Sequence, residues 1–420
     1  MKTLVTVSLL SFLTLAGVQP QASMAQDIAG TWSTASSAGF NPRYWFTSSI
    51  VDGKIYCIGG TDGVGLNSTV DVYDPQSDTW TTLATTGHFT PRMALTSCVY
   101  QNKIYVMGGS EGSESPANIC NVLEVFDPAT NTWTTPQTTG TFTPRCVLAS
   151  AVVNDKIYVI GGFSGTNDLA ILQVFDPSTN TWSAPQTTGT FSPRGAFPAI
   201  VYQNKIYVIG GAQNGTIPTF IEVFDPATNA WSTLSTKGTF AGRCDHAAGV
   251  IGDKVYIMGG LYGGGFVPIA TDAFQEFDLS TNTWTTPNFD GSFTSRGYVS
   301  SAVVGNTFYV LGGVDTIGGQ PYCLSTNEVF DPSTAVVTLD VEQSTMPIAA
   351  PDPVRSELRL TNLQARDEIS VENILGRTVV PQFEPSGTET SINLANLLPG
   401  TYFVRIANPS RTTLKKIVKY

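Results

Sequence analysis

Six arginines, Arg43, Arg92, Arg145, Arg194, Arg243 and Arg296, recur at intervals of 49, 53, 49, 49 and 53 residues. A guanidinium is a planar fork of donors suited to bidentate recognition of carboxylate or sulfate, so a converging set would form an anion-binding site. Between residues 26 and 346 the chain carries 26 Asp or Glu against 12 Lys or Arg, a net charge of −14, and half of those cations are these arginines. The acidic balance argues against a nucleic-acid partner, which needs a broad basic surface. Aromatic side chains close to the arginines in sequence, Tyr44, Trp45, Phe197 and Tyr298, are of a type that stacks on sugar rings. Asp245 and His246 follow Arg243 within three residues and could contact a ligand or move protons. His88 and His246 are the two histidines of the chain. No HExxH occurs, and the residues assign no catalytic group, metal ligand or cofactor. A second reading of the arginines is structural: each could tie its own repeat to the next through carbonyls or a carboxylate.

The arginines belong to a longer grammar. Each precedes a strand pair ending in Gly-Gly: IYCIGG (55–60), IYVMGG (104–109), IYVIGG (157–162), IYVIGG (206–211), VYIMGG (255–260) and FYVLGG (308–313). Then come YDP, FDP or FDL and a Trp six residues after the Asp, at Trp80, Trp133, Trp182, Trp231 and Trp284. Apolar runs divided by polar turns read as hairpins of buried strands. Paired glycines allow close backbone approach, Asp-Pro suits a tight turn, and each Trp reads as packing. The aspartates Asp74, Asp127, Asp176, Asp225, Asp278 and Asp331 are therefore turn residues. In the sixth repeat Val337 stands in the Trp slot, whereas Trp32 lies eleven residues before Arg43 with no repeat of its own. The strand around Thr31 to Thr34 is expected to complete the last unit, removing exposed edges; Val336 to Leu339 is the alternative.

A period near fifty with this grammar resembles the kelch repeat, whose fold is a β-propeller of four-stranded blades. The resemblance implies an all-β protein, a six-bladed kelch-type propeller over residues 26–342. In such blades the arginines open the innermost strands on one face and ring a channel mouth. The interval from the second Gly to the aromatic before Asp is 13 in repeats one, three and four and 17 in the others. The longer loops carry Tyr262, Phe266 and Tyr322 onto the same face, where recognition commonly sits. The expected function is recognition of a glycan or protein there. Two enzymes of similar fold are alternatives. A kelch-type sialic-acid epimerase would use Arg to hold the carboxylate and Asp245 or His246 to move protons. A copper enzyme like galactose oxidase would require both histidines, yet its motif context is missing.

The first 25 residues, MKTLVTVSLLSFLTLAGVQPQASMA, read as a signal peptide, and no later segment reaches the roughly 20 apolar residues of a membrane-crossing helix. Of six cysteines, Cys57 replaces Val or Ile of other repeats and reads as a small buried hydrophobe. Cys146 and Cys244 lie two repeats apart, too far to bridge. Residues 343–350 read as a linker. From Pro351 the chain resembles the C-terminal sorting domain of type IX secretion cargo, carried by PDPVRSELRL, ISVENILGRTV, LLPGTYFVRI and the basic end LKKIVKY; Asp352 departs from the family's usual Pro-Asn-Pro. Its alternating pattern predicts a small antiparallel sandwich, Ig-like in the family, over residues 351–420. The resemblance implies engagement of the secretion machinery and a protein secreted or anchored at the outer cell surface.

Overall fold

The computed structural model describes residues 28–263, 269–315, 322–332, 348–350, 356–361, 363, 366–408 and 411–419. It divides into two compact units, residues 27–337 and the C-terminal residues from 338 onward. The expected leader at residues 1–25, Phe266 and the alternative closing strand at residues 336–339 lie outside the described residues.

The regular structure of the first unit consists of strands. Each of the first five repeats folds into an antiparallel sheet in chain order, as in Thr47–Val51, Lys54–Ile58, Val70–Asp74 and Thr79–Thr82. The first hairpin turns through two residues of left-handed backbone, Asp52 (φ 50°) and Gly53 (φ 73°), and Gln101-Asn102, Asn154-Asp155 and Gln203-Asn204 repeat this. Two positive φ values in a two-residue loop match the right-handed twist of the strands they join. At the Asp-Pro turn, Asp74 Oδ1 accepts the Gln76 N–H at 2.9 Å, and Asp127, Asp176, Asp225 and Asp278 make the same bond. Four of these carboxylates also pair with the hairpin lysines, for example Lys103 with Asp127 at 2.9 Å. The aspartates are thus turn residues, as their position predicts.

The fourth strand presents its Trp to two aromatic rings. One is the third-strand aromatic, as in Phe126–Trp133 with centroids 5.0 Å apart. The other is a Phe three residues before the Arg, and Phe142 stacks on Trp182 at 4.4 Å and 8°. In the sixth sheet Ile28–Ala35 pairs antiparallel with Asn327–Asp331. Trp32 there lies 5.2 Å from Phe330 and 4.8 Å from Phe293, occupying the slot left by Val337.

Neighbouring sheets are fastened at the glycine pairs. The second Gly donates its N–H to the carbonyl of the next repeat's Arg: Gly60 to Arg92, Gly109 to Arg145, Gly162 to Arg194, Gly211 to Arg243, Gly260 to Arg296, and Gly313 back to Arg43 at 3.0 Å. The cycle of sheets is closed by the same bond that joins any two members. A side chain could not be accommodated at this approach. A Cβ on Gly210 (φ 63°) would lie 2.4 Å from the Arg243 carbonyl. The first strands of consecutive sheets touch around the cycle, Ser300–Val304 meeting Thr47–Val51, and they surround a central channel.

The second unit holds two antiparallel sheets. One has the order Ile348–Ala350, Glu357–Thr361, Thr390–Asn393, so three residues of the stretch read as linker are a strand; the other has the order Thr378–Phe383, Glu368–Asn373, Gly400–Asn408, Arg411–Lys419. Leu358, Leu360 and Ile392 from the first sheet and Ile369, Val404 and Ile417 from the second share one buried core. Alternating burial along Glu357–Thr361 (exposed, buried, exposed, buried) follows the period-two pattern of the sequence. Among the described residues no helix is long and apolar enough to cross a membrane.

Candidate ligand-binding site at the channel mouth

The arginines do not face a ligand. All six are at most 1% exposed, because each side chain turns into its own blade and is consumed there. Arg92 donates to the carbonyls of Gly108 and Thr90, both at 2.8 Å, and pairs with Glu124. Arg194 binds the Gly210 carbonyl at 3.0 Å and Glu222, Arg296 pairs with Glu328 at 2.7 Å, and Arg43 pairs with Asp71. In two repeats the partner is a glutamine: Gln173 Oε1 accepts from Arg145 and Gln275 Oε1 from Arg243. With no carboxylate beside it, burial lowers the guanidinium to about 9 in Arg145 and about 10 in Arg243, both still cations at neutral pH. Each guanidinium also covers the ring of the Phe three residues earlier, at 4.8 to 5.6 Å. Arg, Phe and Trp thereby form one stack per blade. The anion-binding expectation for these six residues is corrected: an ion pair sealed from solvent is a structural tie, as the second reading held.

The mouth is formed instead by the residue two positions after each Arg. Trp45, Ala94, Val147, Ala196, Asp245 and Tyr298 all have left-handed backbone, with φ between 47° and 58°. Their peptides are chained around the opening: Ala94 N–H donates to Trp45 O, Val147 to Ala94, Ala196 to Val147, Asp245 to Ala196, at 2.8 to 2.9 Å, and Trp45 to Tyr298 at 3.1 Å. The left-handed kink turns these side chains to the rim while the preceding Arg enters the blade.

Above the rim lies a cup of about 380 Å³. Trp45, Tyr298, Ala196 and Asp245 form its floor, and the loops of repeats two to four supply Glu114, Phe163, Asp168 and Asn214. Trp45 meets Tyr298 edge to face at 4.6 Å and 66°, and Tyr44 lies 5.5 Å from Trp45 and 6.0 Å from Tyr298. Asp168 Oδ2 accepts the Asn214 N–H at 2.6 Å, and the Cys146 thiol lies 3.9 Å from Glu114 Oε1. Burial raises all three acids, and neighbouring carboxylates add to it, Asp168 acting on Glu114 and Glu114 on Asp245. Asp245 reaches about 7, with the Cys244 thiol as a partly opposing hydrogen-bond partner. Among the described residues no Lys or Arg lines the cup. The site therefore has the opposite sign from the one expected.

The remaining candidates separate. Phe197 and His246 occupy the next position of the repeat, one residue past the rim, and line the channel. Phe197 is buried beside the Arg194 guanidinium. His246 is 5% exposed, and neither ring nitrogen has a partner in hydrogen-bond geometry. Burial, reinforced by the Arg243 charge, lowers it to about 3, so the imidazole is neutral. His88 is exposed in the loop before Arg92. Tyr262 and Tyr322 sit on small hairpins made by the longer loops, Leu261–Tyr262 with Ile269–Ala270 and Val314–Asp315 with Tyr322–Cys323, and both are exposed. Among the described residues no group of three or more His, Cys, Asp or Glu is placed to hold a metal ion. The six cysteines are unbridged and Cys57 is fully buried.

Sequence reasoning missed two sets of residues. The arginine partners occupy the second position of the third strand in every repeat (VDVYD, LEVFD, LQVFD, IEVFD, FQEFD, NEVFD). A polar residue there, beside apolar neighbours at each repeat, was a usable signal. Glu114 and Asp168 stand in loops that differ between repeats and carried none.

Sheets of four strands, with a fifth in the closing one, fastened in a cycle around a channel, define a kelch β-propeller. The chain belongs to the kelch-repeat family: the KLHDC2/KLHL20/DRC7 Kelch-repeats domain matches residues 45–260 and the Kelch motif matches residues 242–287 and 295–336. The Secretion system C-terminal sorting domain matches residues 349–420, which makes this a type IX secretion cargo, secreted or anchored at the outer cell surface. The chain is similar to the Rab9 effector protein with kelch motifs of Bos taurus, 30% identical over 141 residues, covering 32% of this chain and 38% of the relative. The Rattus norvegicus protein of that name is 31% identical over 139 residues, 32% of this chain and 37% of the relative. Alpha-scruin of Limulus polyphemus is 29% identical over 116 residues, 27% of this chain and 12% of the relative. The match thus spans less than two-fifths of each relative's length.

Proposed function

We propose that this is an exported recognition protein whose propeller binds a protein partner at the channel-mouth face, through the cup and the exposed Tyr262 and Tyr322. The observation that carries the reading is the cup itself. An aromatic floor and convergent polar groups on rigid strand ends, surrounded by loops of unequal length, is the arrangement expected of a binding surface. Kelch repeats and the kelch-type relatives point toward a protein ligand. A glycan is the second reading, favoured by the Tyr44, Trp45 and Tyr298 cluster, since sugars stack on such rings. The epimerase alternative loses its anion holder, because the guanidiniums that would grip a carboxylate are sealed in the blades.

The test is site-specific photo-crosslinking in the exporting cell. A crosslinking side chain in place of Tyr262 or Tyr322 is expected to trap a protein, whereas the same group at Lys205, at the far end of its strands, traps none. Trapping from Lys205 alone would overturn the assignment of the face. Trapping of carbohydrate alone would establish the glycan reading.

A further inference from the structure

The cup has a chemistry that its location does not by itself announce. Three carboxyl groups converge on it from three repeats, Glu114, Asp168 and Asp245, and among the described residues no basic side chain accompanies them. Several other acids of the unit are matched, Asp71, Glu124, Glu222 and Glu328 to arginines, and Asp74, Asp127, Asp176 and Asp225 to lysines. The cup's acids have no cation beside them and are gathered in one cavity.

Two further observations are independent of those acids. The cup floor carries two rings, Trp45 and Tyr298, edge to face at 4.6 Å, with Tyr44 packed against both at 5.5 and 6.0 Å. Aromatic faces attract a cation through the ring quadrupole, most strongly when it is desolvated. The channel shares Trp45, Asp245 and Tyr298 with the cup and adds His246, which is buried and neutral. A neutral imidazole adds no positive charge to the site. A ligand group reaching to the floor of the cup would meet carboxylates at its sides and aromatic rings beneath.

We infer that the cup takes a basic side chain, an ammonium or guanidinium, presented by the protein partner. The inference rests on the protein-binding reading above and names the anchor that such a partner brings. An anionic or purely apolar group would leave three acids desolvated and unmatched, which disfavours it strongly. The class of ligand is thus set by charge and by the aromatic floor together.

The experiment uses the full secreted chain and short blocked peptides, acetyl-Gly-Gly-Lys-Gly-Gly-amide against the norleucine and glutamate versions, titrated calorimetrically at pH 8. The lysine peptide is expected to bind, with the norleucine and glutamate peptides at least tenfold weaker. Asp168→Asn, which preserves shape, and Glu114→Gln are each expected to weaken the lysine peptide several-fold, while the control Asp253→Asn on the opposite face leaves it unchanged. Trp45→Phe should retain more affinity than Trp45→Leu, which keeps bulk but has no ring face. Equal binding of lysine and norleucine peptides, or no binding of lysine, overturns the inference. The crosslinking outcome is independent of these peptides: if trapping at Tyr262 persists while lysine preference is absent, the cationic anchor falls and the protein-binding face stands.

Discussion

The Trp45 N–H donates to the Tyr298 carbonyl at 3.1 Å while the two indole and phenol rings meet edge to face at 4.6 Å. The first and sixth repeats are therefore joined at the rim by the same two residues that floor the cup. The backbone bond is independent of side-chain type, which separates binding from folding at this position.

Arg194 and Glu222 are a sealed pair. Replacing Arg194 by Glu places two acids together in a blade interior and is expected to unfold the propeller, and Arg194→Ala to cost about 3 to 5 kcal/mol by stranding Glu222. Glu222→Gln should be mild by comparison, because Gln173 and Gln275 already fill that position in two repeats. Denaturant titration of the three variants gives the order; a charge reversal that leaves the midpoint unchanged would mean the guanidinium is not buried in solution.

The rim kink is a steric test of the backbone. Left-handed φ costs a residue with a Cβ about 1 to 2 kcal/mol, so Ala196→Gly (φ 58°) is expected to stabilise by up to about 1 kcal/mol after the entropic disadvantage of glycine. Gly211→Ala should do the reverse and more severely, since its Cβ would collide with the Gly195 carbonyl. Thermal melts decide both signs.

Asp245 ties stability to pH. Its carboxyl rises from an ordinary 3.8 to about 7, so the folded chain holds a proton that the unfolded chain has released between these values. The contribution of this group is complete below about pH 4 and is lost as pH rises to about 7. Asp245→Asn is expected to raise the melting temperature by a few degrees at pH 8 and to leave it nearly unchanged at pH 4. A gain confined to acid pH would reverse the assigned direction.

The outer part of the sixth sheet is completed by one side chain from outside the repeats. Trp32 is 3% exposed among Phe274, Phe293 and Phe330, and Trp32→Ala is expected to cost about 3 to 5 kcal/mol. Hydrogen exchange should then speed first in Ile28–Ala35 and Asn327–Asp331. Uniform acceleration over all the sheets would show that the strand is no separate latch.

Much of the fold was legible because its rules are local and repeated. Gly-Gly at the end of a strand, Asp-Pro at a turn and Trp at fixed spacing each have one geometric use, and each repeat restates it. Trp32, displaced from any repeat yet at nearly the right distance from Arg43, marked one of two candidate closing strands, and Ile28–Ala35 is the one that pairs with Asn327–Asp331. The sorting unit was legible for the same reason, through alternation and a few short motifs.

The sign of the site was not legible. Six regularly spaced guanidiniums suggest an anion site until the chain is folded, because sequence spacing cannot say on which side of a kinked backbone a side chain leaves. The left-handed residue after next, Asp245 or Ala196 for example, sends each Arg inward to a carboxylate or glutamine about thirty residues away. That pairing withdraws the guanidiniums from the mouth, and what remains there is Glu114, Asp168 and Asp245, drawn together from separate repeats. Local pattern determined the architecture by itself; the charge and contents of the cup were decided only when non-repeating loops met at the rim, a long-range juxtaposition that no spacing encodes.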